Sequence, residues 1–164
     1  MNEPTWLREP PAAAYAAILD AAELCARFSP DSAREQLAAR AFEIDVRWLA
    51  NAAVRALARL VRGPGASVWW ARLRQEVNTF TDPARQLEVV CALEVLAVAE
   101  AVERGAFGRV EEVIRGTQFA PADLAAVAAQ YVGLIAAHLE AEQVGDIAET
   151  MARLRAACGL SGGE

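Results

Sequence analysis

The chain has 164 residues, 55% hydrophobic and 23% charged, with a formal net charge of −6, which fits about one domain and excludes a disordered chain. A domain of about this length buries roughly 68–70% of the surface its unfolded chain exposes, so it needs no metal or disulfide to hold together. Cys25, Cys91 and Cys158 are too few and too widely spaced for a disulfide framework or a clustered zinc site, so unpaired thiols in a reducing cytosol are expected.

Apolar residues recur at three- and four-residue spacing nearly everywhere, and no window shows sustained alternation bounded by turn residues. This pattern predicts an all-α, single-domain irregular bundle of six to seven helices. An N-terminal arm (1–11) leads into the helical domain (12–158), and a Gly-rich flexible tail (159–164) follows. The first helix runs from about Ala12 to Phe28, with Tyr15, Ile18, Leu19, Ala22, Cys25 and Ala26 on one face. Ser29-Pro30 ends it and opens the second, with serine as the expected cap. The second helix extends from about Asp31 to Val61 with room for a bend, and Arg62-Gly63-Pro64-Gly65 breaks it.

The third helix covers about Ser67 to Phe80. Its stripe of Trp69, Leu73, Val77 and Phe80 reads as core, while Trp70 points elsewhere, to a contact surface or, as the favoured expectation, against a neighbouring helix. Thr81-Asp82-Pro83 caps a fourth helix that Gly105 closes, and a short fifth covers about Ala106 to Arg115. Pro121 opens the sixth, and Asp146 with Glu149 resembles a capping box for the seventh. The sixth helix has a bulky side (Leu124, Val127, Tyr131, Leu134, Ile135) and a side of small residues (Ala125, Ala129, Gly133, Ala136, Ala137). Small residues at four-residue spacing let backbones approach closely, so this helix is expected to be sandwiched at the centre. Its uncharged run, Leu124 to Leu139, falls short of the ~18 apolar residues of a membrane span and reads as core.

The basic residues are all arginine, with no lysine, and alanine abounds, as in proteins from high-GC bacterial genomes. The N-terminus, with Glu3, Glu9 and several prolines, lacks the basic start and apolar run of a signal peptide, so a cytoplasmic location is expected. Residues 1–80 carry ten arginines against nine acids, and residues 81–164 six against thirteen. Between Val46 and Gln75 there are six arginines and no acid.

That acid-free stretch is the first candidate site: Arg47, Trp48, Arg55, Arg59, Arg62, Trp70 and Arg74. Guanidinium groups hold phosphate or carboxylate in a fork, and indole rings stack on bases or anchor protein interfaces. Solvated arginines paired with the acidic half of the chain would leave the same pattern. A second candidate is a pocket built from Glu94, Tyr131 and His138, since Glu94 and His138 both project from apolar helical faces and meet if those faces pack together. A satisfied core contact is the commoner outcome for such a pair. No G-x-G-x-x-G, P-loop, C-x-x-C or H-E-x-x-H string occurs, and no cofactor or metal is implied.

The sequence therefore reads as a non-enzymatic bacterial cytoplasmic protein that binds another macromolecule, most simply a protein partner, as an adaptor or accessory subunit or as a homodimer. A small-ligand sensor or carrier with an inter-helix pocket is the first alternative. A helical subunit of a nucleoprotein complex is the second, and the acidic net charge weighs against nucleic acid. No membrane association is expected.

Overall fold

A computed structural model describes residues 5–160, and every regular element among them is helical. The helices are α1 (Ala12–Ala26), α2 (Pro30–Arg40), α3 (Val46–Val61), α4 (Ala66–Asn78), α5 (Gln86–Glu103), α6 (Phe107–Gly116), α7 (Pro121–Ala141) and α8 (Ile147–Ala157), with one 3-10 turn, Pro83–Arg85, leading into α5. The described residues thus hold eight α-helices where six to seven were expected. The difference lies in the second predicted helix, which is two: the chain turns between Arg40 and Val46, where the Ile44 amide donates to the Arg40 carbonyl at 2.9 Å. Asp45 then caps α3 by accepting from the Arg47 amide at 2.9 Å. An aspartate ahead of an apolar run is a helix start, because its carboxylate satisfies an amide that would otherwise lack a partner.

Other caps divide between the two outcomes. Asp146 accepts from the Glu149 amide at 2.7 Å, as its spacing predicts, and Asp82 accepts from Ala84. Ser29 makes no side-chain cap, however, and Pro30 alone opens α2 with its fixed φ.

α3 and α7 pack along each other, with α1 against both and α5 against both; α8 packs on α1, α7 and α3, α2 lies on α1, and α4 and α6 lean on α5. One hydrophobic cluster joins all eight helices. α7 is therefore central, and its small residues explain how. Ala125, Ala128, Ala129, Gly133 and Ala136 are buried against neighbouring helices. A Cβ on Gly133 would lie 2.5 Å from the Ala22 carbonyl oxygen and 2.8 Å from the Ala26 amide nitrogen, so the α1 backbone occupies the space a side chain would need. The alanine face of α7 is thus intramolecular. α7 is 21 residues long and holds an 18-residue window of mean hydropathy 1.4, so it does reach the length and composition of a membrane span, contrary to the shorter run read from sequence. Burial against α1 and α3 accounts as core for the apolarity of its alanine face alone.

The N-terminal arm and the C-terminal tail are only partly described: residues 1–4 and 161–164 lie outside the described residues. The pentapeptide 159–163 reads G-x-S-x-G letter by letter, but it follows the helix α8 rather than the strand that the hydrolase motif requires, and Ser161 is outside the described residues.

Candidate functional site

The arginine-rich stretch is occupied by the protein's own N-terminal arm. Arg55 on α3 is only 8% exposed. Its Nε donates to Asn51 Oδ1 at 2.8 Å, Nη2 to the Trp6 carbonyl at 2.8 Å and Nη1 to Glu9 Oε2 at 3.3 Å. Asn51 donates in turn to the carbonyls of Thr5 and Arg8 at 2.8 and 3.1 Å. One turn on, Arg59 donates to Glu9 Oε1 at 2.6 Å and to the Tyr15 hydroxyl at 2.7 Å, and Tyr15 donates to Glu9 at 2.8 Å. Arm carbonyls that would lack partners away from water thus receive them from α3.

Burial works against the charge on Glu9, but bonds from Arg59 and Tyr15 and the charges of Arg59 and Arg55 outweigh it and hold its pKa below the ordinary value. Burial, followed by the bond to Glu9, raises the Tyr15 pKa well above its ordinary value, so that hydroxyl stays a donor.

Trp70, expected off the Trp69 stripe and packed on a neighbouring helix, is fully buried, and its Nε1 donates to Glu103 of α5 at 3.1 Å. Trp69 and Phe80, expected in the core, are half-buried and exposed. The helix is rotated from that reading because Ala66, Trp70, Leu73 and Val77 form the stripe that faces α5. Arg74 is bonded to Glu100, which also holds Arg104 at 2.8 Å. Trp48 is partly buried against the core. Arg47 pairs with Asp45 at 2.8 Å on the surface, and Arg62 is exposed. Of the seven residues in this candidate, Arg47, Arg55, Arg59 and Arg74 have ionic partners within the chain and Trp70 is buried in it.

The second candidate does not assemble. Glu94 accepts from Thr117 Oγ1 at 2.6 Å, and that oxygen also receives the Phe119 amide at 3.2 Å, so the carboxylate braces the α6–α7 connection. It sits at the edge of α5 because the buried face is Cys91, Val95 and Val98 with Ala92, Leu96 and Ala99. Leu87 and Val90 of the same helix are 75% and 46% exposed.

His138 belongs to a different cluster. Its Nε2 lies 2.6 Å from Arg72 Nη2 and 2.9 Å from Glu142 Oε1, with the Trp69 ring edge-on at 5.8 Å. Nε2 serves one partner at a time: unprotonated it accepts from Arg72, protonated it donates to Glu142. Among the described residues, no group of three His, Cys, Asp or Glu side chains comes together as a metal site.

Of that trio, Tyr131 lines a groove that Glu94 and His138 do not share. A half-open groove of about 780 Å³ runs along α7 between the end of α4, the start of α5 and Arg34 of α2. α7 contributes Asp123, Ala126, Val127, Gln130, Tyr131 and Leu134, a continuous stripe over three turns. Phe80, Leu87 and Leu134 stand exposed around it. The sixth predicted helix thus buries its alanines together with Leu124, Val132 and Ile135, while Val127, Tyr131 and Leu134 of its bulky side face the groove. Burial, aided by the charges of Glu76 and Cys91, pushes the Tyr131 phenol up to about 12. Burial and the nearby Asp123 and Glu94 charges push the Cys91 thiol up to about 11. Both groups stay protonated and unreactive near neutrality.

Sequence reasoning missed this groove, although the signal was present: both faces of this helix are apolar, and only one can meet the core. Compared with protein-family models, curated proteins and solved structures, the chain finds no match.

Proposed function

We propose that this chain is a non-enzymatic, cytoplasmic interaction protein that binds a protein partner in the α4–α5–α7 groove. One observation carries the reading: α7 turns Val127, Tyr131 and Leu134 toward the groove while burying its alanines, beside exposed Leu87 and Phe80. Contiguous exposed apolar side chains of this size are uncommon on a surface that meets only water. A groove along three helical turns matches the way an amphipathic helix is received, through contacts at i, i+3, i+4 and i+7. Three free thiols favour a reducing compartment.

A small-ligand carrier is the second reading, because about 780 Å³ lies within the size range of small-molecule sites. The open side of the groove favours a macromolecule, since a small ligand is normally enclosed over most of its surface. Nucleic acid is disfavoured, because Arg55, Arg59 and Arg74 are already paired with Glu9 and Glu100.

The test is a photo-crosslinking side chain at position 134, with one at exposed Val144 as control, in cells producing the protein. A discrete protein adduct from position 134 and none from 144 is expected. Equal labelling from both, or none from 134, removes the reading.

A further inference from the structure

We infer that the partner in this groove is a second copy of the chain, docked about a two-fold axis with the two α7 helices antiparallel. The inference rests on the groove being an interaction surface and adds what fills it. The two ends of the stripe carry opposite charge, Arg34 at one and Asp123 at the other.

Arg34 of α2 lies close enough to Cys25 for its charge to act on that thiol, and Cys25 is packed against Gly133. The cation therefore sits beside the Leu134 end of the groove. Asp123 stands at the other end, in the first turn of α7, where its charge acts on Cys91 of α5. Asp123 and Leu134 are eleven residues apart, a separation of about 16 Å along a helix. Both rim charges are exposed, and among the described residues neither side chain makes a hydrogen bond or ion pair.

A two-fold interface places each residue i on the partner's j and each j on the partner's i. Antiparallel docking brings each Arg34 to the other copy's Asp123, forming two ion pairs from charges that have no hydrogen-bond or ion-pair partner among the described residues. The same docking opposes the two helix dipoles favourably. Gln130 lies between the ends and makes no side-chain hydrogen bond among the described residues. Its amide both donates and accepts, so it pairs with its own copy across the axis. Val127, Tyr131 and Leu134 supply the apolar centre. A foreign acidic or basic helix would satisfy one end of the groove and repel the other, whereas this chain satisfies both.

The test is sedimentation of the purified full chain over roughly 1–100 µM, with circular dichroism confirming that each variant is helical. The wild type is expected to reach twice its 17.6 kDa mass. Leu134→Glu, which sets two carboxylates in the apolar seam, weakens the dimer by roughly tenfold or more. Arg34→Asp and Asp123→Arg each weaken it by roughly three- to tenfold, and the two together restore it. A wild type that stays monomeric throughout, a dimer indifferent to Leu134→Glu, or a double variant no better than the single ones overturns the inference. So does a monomer that carries a bound small molecule in native mass spectrometry. A monomeric wild type whose position 134 still crosslinks to a different protein overturns self-docking alone and leaves the proposed function standing; absence of both removes both.

Discussion

Two surfaces of this protein attract attention for opposite reasons. The arginine-rich face of α3 looks like a binding surface in sequence but is filled by the chain itself, with Arg55 and Arg59 fixed by the arm through Glu9, Tyr15 and the Trp6 carbonyl. The α7 groove looks like core in sequence and is open, with Leu134 half exposed and Leu87 more so. The contrast shows that polarity alone does not locate an interface. A charge whose partners lie within its own chain belongs to the fold, and an apolar side chain left without a neighbour is the feature available to a partner.

Substitutions on the first surface are expected to act on stability and those on the second on association. Arg55→Ala gives the largest effect, because it leaves the Asn51 side-chain oxygen and the Trp6 carbonyl without their donor, while Glu9 keeps Arg59 and Tyr15. The expected loss is about 2–4 kcal/mol, or roughly 10 °C in the thermal midpoint, read by circular dichroism. A change within about 0.5 kcal/mol, as for ordinary surface residues, would make the arm incidental. Reversing Arg55 and Arg59 together to Glu dismantles the arm before it can report on any partner.

Gly133→Ala comes next. The added Cβ meets the α1 backbone rather than flexible side-chain ends, so overpacking of about 1–3 kcal/mol outweighs the gain in helix propensity. Urea unfolding measures it, and a stabilised variant would mean that α1 and α7 are not so closely packed.

Acid loosens the arm by a smaller amount. Glu9 has its pKa held below the ordinary value of 4.5 in the folded chain. Its contribution is therefore present above that ordinary value and lost as the pH falls through the lowered one. With half of the Glu9 side chain exposed, the effect is under about 1 kcal/mol. Amide exchange followed by NMR should show the arm opening in acid ahead of the helices, and Glu9→Gln should loosen it at neutral pH and remove the acid dependence. Parallel opening of arm and helices in both proteins would count against the Glu9 link.

Leu134→Glu has the smallest effect on folding, within about 0.5 kcal/mol because the position is already half exposed, while it breaks association. Large destabilisation by this variant would place Leu134 in the core and close the groove as a candidate.

The helical class, the breaks at Gly63-Pro64-Gly65 and Gly105, and the Asp146 cap were legible from sequence because each depends on neighbours a few residues away. The division of the second predicted helix was legible too, in Asp45, but the continuous apolar spacing around it obscured the cap. The rotation of α4 was not. Trp69 and Trp70 are equally apolar, and which of them is buried depends on where α5 stands. The same holds for Glu94 and His138: each lies on an apolar stripe, yet Thr117 takes one and Arg72 faces the other.

Periodicity alone determined that the chain is helical and that α7 can approach its neighbours closely, because backbone hydrogen bonding and residue size act locally. Tertiary structure alone decided which of two apolar faces of α7 meets the core and which charges find partners within the chain. Those outcomes depend on groups far apart in sequence, such as Glu9 and Arg59, or Gly133 and Ala22. No local pattern encodes the distance between them.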